Sequence, residues 1–191
     1  MARERATDTT ALVAAAGEAF RRKGYRNATI DDIAEAAGIS RPTVYKYTRS
    51  KQHLLDLMVE EVTADLRRRL ELVLESGEPP ETRLRGMISA HIEAASANRT
   101  FYAIVFSEEV ELSEQGRASF RAWAHDRTQD FRLLLDECLP AGGGIDTTIA
   151  ANLVMSMLAT LYRWYDPSGA VSPEELGRQI EKLLGALFPS R

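Results

Sequence analysis

The chain has almost nothing with which to lock its structure chemically. A single cysteine, Cys138, excludes an intrachain disulfide, and no Cys/His set stands at zinc spacing, so neither a cross-link nor a structural metal is expected. No apolar run approaches the roughly 18 residues that a membrane-spanning helix needs. Residues 1–10 are polar and lack the apolar core of a secretory signal, so the expected address is the cytoplasm, with no membrane partner. β-Branched residues are scattered instead of alternating with polar ones, which leaves no convincing strand, and neither an internal repeat nor a low-complexity tail is found. Catalysis lacks its tools as well. His53, His91 and His125 are far apart, Cys138 has no nearby base, no glycine-rich phosphate loop follows a strand, and Glu108, Glu109 and Glu111 have no histidine beside them. An enzyme, a cofactor and a metal centre are therefore not expected.

What the sequence does hold is apolar surface: 45% of its 191 residues, enough for one domain or two small ones stabilised by burial. A net charge of −4 argues, as an average, against a nucleic-acid partner. The distribution says otherwise. Residues 1–51 carry ten basic and six acidic side chains, a balance of +4, whereas the other 140 residues carry −8. That asymmetry suggests a small basic module joined to a larger acidic body.

The spacing of apolar residues predicts helices almost throughout. Leu12, Ala15, Ala16, Ala19 and Phe20 define a first helix over 9–23 that ends in a basic turn and a left-handed Gly24. Thr29 caps a second, with Asp31 and Asp32 in its first turn and Gly38 closing it; Ser40 caps a third, with Pro42 in its first turn. Ser50 caps a long fourth helix to about Ser76, broken by Gly77, Pro79 and Pro80. Five more stretches follow at 82–97, 100–106, 113–139, 146–165 and 172–188, separated by Pro140, Gly142, Gly143 and Gly144 and then by residues 166–169. Ser172, Pro173 and Glu175 form a capping-box start for the last. The fold class is all-α, with about nine helices.

The segment 29–47 carries the most information. A helix-turn-helix needs a small residue where its two helices cross, a turn residue tolerant of φ > 0 and a buried aliphatic on the second helix. Ala34, Gly38 and Val44 supply these, flanked by Ile33 and Ile39. The run GYRNATIDDIAEAAGISRPTVYKYTRSKQHLL, with the first helix, resembles the DNA-binding domain of the TetR family of transcriptional regulators over about 45 residues without a gap. The resemblance implies a helix-turn-helix DNA-binding domain over 1–51, and over 52–191 a helical ligand-binding and dimerisation domain. It also implies a homodimer on a double-stranded DNA operator, released by a small-molecule effector. One departure is Thr48, where many members carry phenylalanine.

On the third helix Arg41, Thr43 and Lys46, with Pro42 among them, lie near the end that a recognition helix points into the major groove. Arg41 suits a guanine edge and the Thr43 methyl a thymine methyl. The family assigns Tyr45, Tyr47, Lys51 and the Thr29 end of the second helix to phosphates, where hydroxyls and helix N-termini fix register. Asp31 would repel phosphate and is left out of the base-reading set. Arg3 and Arg5 are either a groove-seeking arm or a solvated terminus.

The ending LYRWYDPSGAVSPEEL and the upstream FSEEVELSEQGRASFRAW resemble members that sense acyl-CoA thioesters or other lipid-derived acids. Such an effector wants an apolar slot with a cation at its mouth. Met87, His91, Phe101, Tyr102, Val105, Phe120, Trp123, Phe131, Met155, Leu158 and Tyr162 are candidates for the slot or for ordinary core. Arg163 interrupts an apolar helix and either anchors an anionic head group or pairs with Asp166 or a partner's carboxylate; Arg127 is a second choice for the head group. For dimerisation, Ile149, Leu153, Met157 and Leu161 on one helix and Leu176, Ile180, Leu183, Leu184 and Leu187 on the last give two apolar faces that one chain cannot cover, and two copies forming a four-helix bundle resolve the surplus. A helical adaptor without DNA recognition is the rival reading, opposed by the intact Arg41, Thr43, Tyr47 and Lys51.

Overall fold

A computed structural model describes residues 9–139 and 144–187, with side chains as far as residue 185. In chain order the helices are α1 (Thr9–Lys23), α2 (Ile30–Ala37), α3 (Arg41–Val44), α4 (Lys51–Leu74), α5 (Pro80–Ala97) and α6 (Arg99–Ser107). A 3-10 turn at Glu109–Glu111 precedes α7 (Glu114–Cys138), α8 (Thr147–Ala159), α9 (Leu161–Trp164) and α10 (Pro173–Leu187). The described residues contain no strand. No described helix is long and apolar enough to cross a membrane. Arg3, Arg5, Pro140, Gly142 and Gly143 lie outside the described residues.

The chain divides into two compact units. The first holds residues up to Thr63 together with Thr100–Arg121. Here α1 packs against α2 and α2 against α3, burying Leu12, Ala16, Phe20, Ile33 and Val44 with Leu54, Leu55 and Met58 of α4. The start of α7 is tied in by Asp56 of α4, whose carboxylate accepts from Ser113 N at 3.1 Å. The ring of Phe101 lies against α1 at Gly17, where an added Cβ would stand 2.6 Å from the ring.

The second unit holds Ala64–Arg99 and residues from Ala122 onward. In it α10 and the pair α8–α9 pack on α5, burying Met87, Ile88, Ile92, Phe131, Leu134, Leu158, Leu161, Leu176 and Ile180. The single helix expected over 146–165 is two. Thr160 leaves helical geometry at φ −97° and ψ 1°, and its hydroxyl donates back to the Ser156 and Met157 carbonyls at 3.1 and 3.0 Å. A threonine bonding the preceding turn bends a helix, which periodicity alone does not reveal. At the start of α10, Ser172 Oγ accepts from Glu175 N at 3.2 Å as expected of a cap. The Glu175 carboxylate turns to Gln179 and Arg178 instead.

Two glycines with opposite surroundings test this packing. Replacing glycine by alanine inside a helix gains about 1 kcal/mol where there is room, and Gly185 has nothing within 4 Å of a new Cβ. Thermal denaturation of Gly185→Ala should show a small rise in stability, whereas Gly17→Ala should lose about 1–3 kcal/mol through the clash with Phe101.

Candidate nucleic-acid interface and effector site

A run of caps builds the helix-turn-helix. Thr29 and Asp32 form a full capping box: the Thr29 side chain accepts from Asp32 N at 3.2 Å, and the Asp32 carboxylate accepts from Thr29 N at 2.9 Å. That carboxylate also takes the Lys23 ammonium from the end of α1. Lys23 first, then the backbone and hydroxyl of Thr29, hold Asp32 well below the usual carboxylate range. Gly38 ends α2 at φ 68°, a left-handed conformation that favours glycine. Ser40 then caps α3, accepting from Thr43 N at 3.3 Å, with Pro42 in the first turn.

This scaffold leaves Arg41, Pro42, Tyr45 and Lys46 exposed and Thr43 and Tyr47 half-buried. Arg41 is held from two sides: Nη1 donates to Asp31 at 2.8 Å, and its guanidinium lies 5.9 Å from the centre of the Tyr45 ring. Asp31, expected only to repel phosphate, is thus the carboxylate that orients the candidate base-reading arginine. Thr48 is 2% exposed, and its hydroxyl oxygen lies 3.0 Å from both the Ser50 carbonyl and His53 Nδ1. The polar residue at a position often aromatic in the family is therefore satisfied.

Lys51 is the larger departure from expectation. Its ammonium donates to the carbonyls of Tyr25, Arg26 and Ala28 at 2.6, 3.0 and 3.0 Å and sits 4.6 Å from the centre of the Tyr25 ring. An ammonium has three N–H bonds, and all three point inward.

The expected slot residues fall in both units. Phe101, Tyr102, Val105 and Phe120 belong to the first; Met87, His91, Trp123, Arg127, Phe131, Met155, Leu158, Tyr162 and Arg163 belong to the second. Phe101 is half-buried, with one edge of its ring against α1 at Gly17. Tyr102, Phe106 and Phe120 form a ladder of rings with centroids 6.0 and 5.6 Å apart. In the second unit His91 meets Phe131 edge-on at 5.4 Å, with Met87 and Leu158 also fully buried and Trp123, Met155 and Tyr162 half-buried. Arg163 is exposed; its Nε donates to Tyr162 Oη at 2.9 Å, while Asp166 accepts from Ser168. Arg127 is the more enclosed cation, 15% exposed and 2.8 Å from Asp130.

Two family models match this architecture. One, described as bacterial regulatory proteins of the tetR family, covers residues 12–58, and the other, a tetracyclin repressor-like C-terminal domain, covers 77–187. The chain belongs to the TetR family. It is similar to the HTH-type transcriptional repressor KstR2 of Mycobacterium tuberculosis, 26% identical over 175 residues that cover 88% of this chain and 86% of the relative. Among solved structures it resembles the regulator PfmR of Thermus thermophilus, with TM-score 0.82, 27% identity and coverage of 91% and 96% of the two chains. It also shares the fold of AibR, solved with isovaleryl coenzyme A and operator DNA: TM-score 0.81, 20% identity, coverage of 96% and 99%. TetR-family proteins are transcription regulators and not enzymes.

The residues expected at a TetR-family dimer interface are not equivalent in the fold. Ile149 and Leu153 on α8 and Leu183 on α10 are 60%, 67% and 54% exposed, with Met157 and Leu184 half-buried. Leu161, Leu176 and Ile180 are buried within the single chain, at 1%, 7% and 5%, where α9 and α10 pack on α5. The side chain of Leu187 lies outside the described residues.

Two stability measurements follow from this geometry. Denaturant unfolding of Lys51→Met should show a loss of about 1.5–3 kcal/mol, the range for hydrogen bonds to a charged group. His91 supplies a pH dependence. Burial first, then the charge of Arg127, holds its pKa down from 6.5 to about 4. Between those values the unfolded chain binds a proton that the folded one refuses, so stability present above pH 6.5 is lost as pH falls toward 4. At pH 5 the loss should be about 2 kcal/mol relative to pH 7, and His91→Phe should remove that part of the slope.

Proposed function

We propose that the chain is a ligand-responsive transcriptional repressor that binds a palindromic operator as a homodimer and is released by a small hydrophobic or acyl-CoA-like effector. The observation that carries this reading is the capped helix-turn-helix with Arg41, Thr43 and Lys46 on its open side. Arg41 reads a guanine edge, exchanging Asp31 for the base. Both side chains are exposed, so solvent screens the pair and the exchange is inexpensive. Thr43 offers its methyl group to thymine, and Tyr45, Tyr47 and the N-terminus of α2 at Thr29 meet phosphates. Lys51 fixes the turn behind α2 instead of touching DNA itself.

The exposed Ile149, Leu153 and Leu183 support a second copy of the chain as partner, since a single subunit leaves them in water. A two-fold axis then sets two recognition helices about one DNA turn apart. The effector class draws support from the relatives: one structure holds isovaleryl coenzyme A, and another is described as the ketosteroid transcriptional regulator KstR2. The buried aromatic and methionine residues of the body suit such apolar groups.

Gel shift on DNA flanking the protein's own gene is the direct test. If that DNA binds no better than random duplex, the reading is wrong. Arg41→Ala should cost about 1–3 kcal/mol and relax sequence preference, and Lys46→Ala should lower the salt slope by about one. Lys51→Met should weaken binding with the slope unchanged, which separates a positioning lysine from a phosphate contact. Acyl-CoAs and free acids added to the complex should release it; failure of every one removes this effector class.

A further inference from the structure

In the second unit one histidine is buried with half of its hydrogen-bonding capacity unused. His91 on α5 is 6% exposed, and its Nδ1 lies 2.8 Å from the Met87 carbonyl. A carbonyl only accepts, so Nδ1 carries the ring proton and donates it. The ring is neutral, because burial and the nearby Arg127 both oppose a second proton. Nε2 is then a bare lone pair, and it has no hydrogen-bond partner among the described residues. A buried acceptor left empty loses its hydration with nothing in return, and native proteins seldom tolerate this without a purpose.

A donor of the opposite kind stands close by. Phe131 of α7 lies edge-on to the His91 ring at 5.4 Å, and Arg127 is four residues earlier on the same helix, one turn along the same face. Its Nε is also buried and has no acceptor among the described residues, while its Nη2 is 2.8 Å from Asp130. The two helices that carry these groups are apolar nearby: Met87 and Ile88 on α5 and Phe131 and Leu134 on α7 are all 2% exposed or less.

We propose that His91 and Arg127 are the recognition point for a neutral hydroxyl group on the effector, its proton given to His91 Nε2 and its oxygen accepting from Arg127 Nε. The inference rests on the effector reading above and names the group that the body selects. A carboxylate or phosphate does not fit: Asp130 already balances the guanidinium, and the lone pair of Nε2 would face the anion. A ketone accepts from Arg127 but leaves Nε2 empty. Only a group that both donates and accepts satisfies both atoms, and a hydroxyl is the smallest of these. A trapped water has the same chemistry, so the experiment must tell the two apart.

The test uses the full-length protein labelled with nitrogen-15 at histidine and three probes of one shape: cyclohexanol, cyclohexanone and methylcyclohexane. Cyclohexanol should move the His91 Nε2 resonance into the hydrogen-bonded range, and the other two should leave it in place. Cyclohexanol should bind His91→Phe about tenfold more weakly while methylcyclohexane binds equally well, the discrimination expected when a site loses the partner of a hydroxyl. Arg127→Gln, which keeps the histidine, should weaken the alcohol and spare the hydrocarbon, so the outcome does not hang on one variant's folding. An Nε2 resonance already hydrogen-bonded in the free protein and unmoved by every probe means resident water and overturns the proposal. So does an alcohol that shifts it no more than the hydrocarbon. Failure of all thioesters and acids to release DNA would instead remove the effector reading, and the resonance, which needs no operator, would still decide the role of His91.

Discussion

The ammonium of Lys51 is the fastening on which the candidate DNA-binding head depends. Where α1 stops at Gly24, the backbone turns before it can begin α2, and the carbonyls of that turn have no helix to bond with. Lys51, the first residue of α4, donates to those of Tyr25, Arg26 and Ala28 and rests on the Tyr25 ring, itself edge-on to Phe20 at 5.1 Å. Everything after it in the head is set by the position of Thr29. Thr29 caps α2, Gly38 ends it, and Ser40 starts α3 at a fixed angle. Because these caps satisfy the ends, α3 remains ordered with only four helical residues, far below the length at which a helix stands alone.

This ordering explains why the head is so legible from sequence and the roles of two of its residues are not. Caps and left-handed glycines act on neighbours one to four positions away, so Thr29, Gly38, Ser40 and Ser50 announce themselves in the chain. Lys51 acts on carbonyls more than twenty positions earlier. Composition offers no hint of that, and the family resemblance assigns the residue to phosphate. The role of Asp31 is hidden for the same reason: its partner Arg41 stands ten positions away on another helix.

The body is less legible because an apolar stripe does not say what covers it. Ile149 and Leu153 share helical spacing with residues on the opposite face, and Leu176, Ile180 and Leu183 share one stripe of α10. The fold separates them by which neighbour reaches them first. The α5 helix takes Leu176 and Ile180, and Leu183 is left exposed. Likewise Phe101 reads as a ligand contact by type, and the absence of a side chain at Gly17, which lets its ring approach α1, is not announced by that type.

Buried polarity is the complementary signal, and it gains meaning from its rarity here. Hydrophobic burial is indifferent to which apolar side chain fills a space, so a core can be repacked with little loss. A histidine in that core has no such indifference: its Nδ1 is fixed by the Met87 carbonyl, its tautomer follows, and the atom left over faces a defined chemical demand. Replacing His91 by an apolar residue of similar shape would relieve the desolvation of Nε2, so stability alone gives no reason to keep it. The acid-sensitivity that its depressed pKa imposes is a further cost in the same direction. Under the proposed recognition of a hydroxyl, a residue expensive in both respects, beside an arginine whose Nε is equally unused, is accounted for by what it selects.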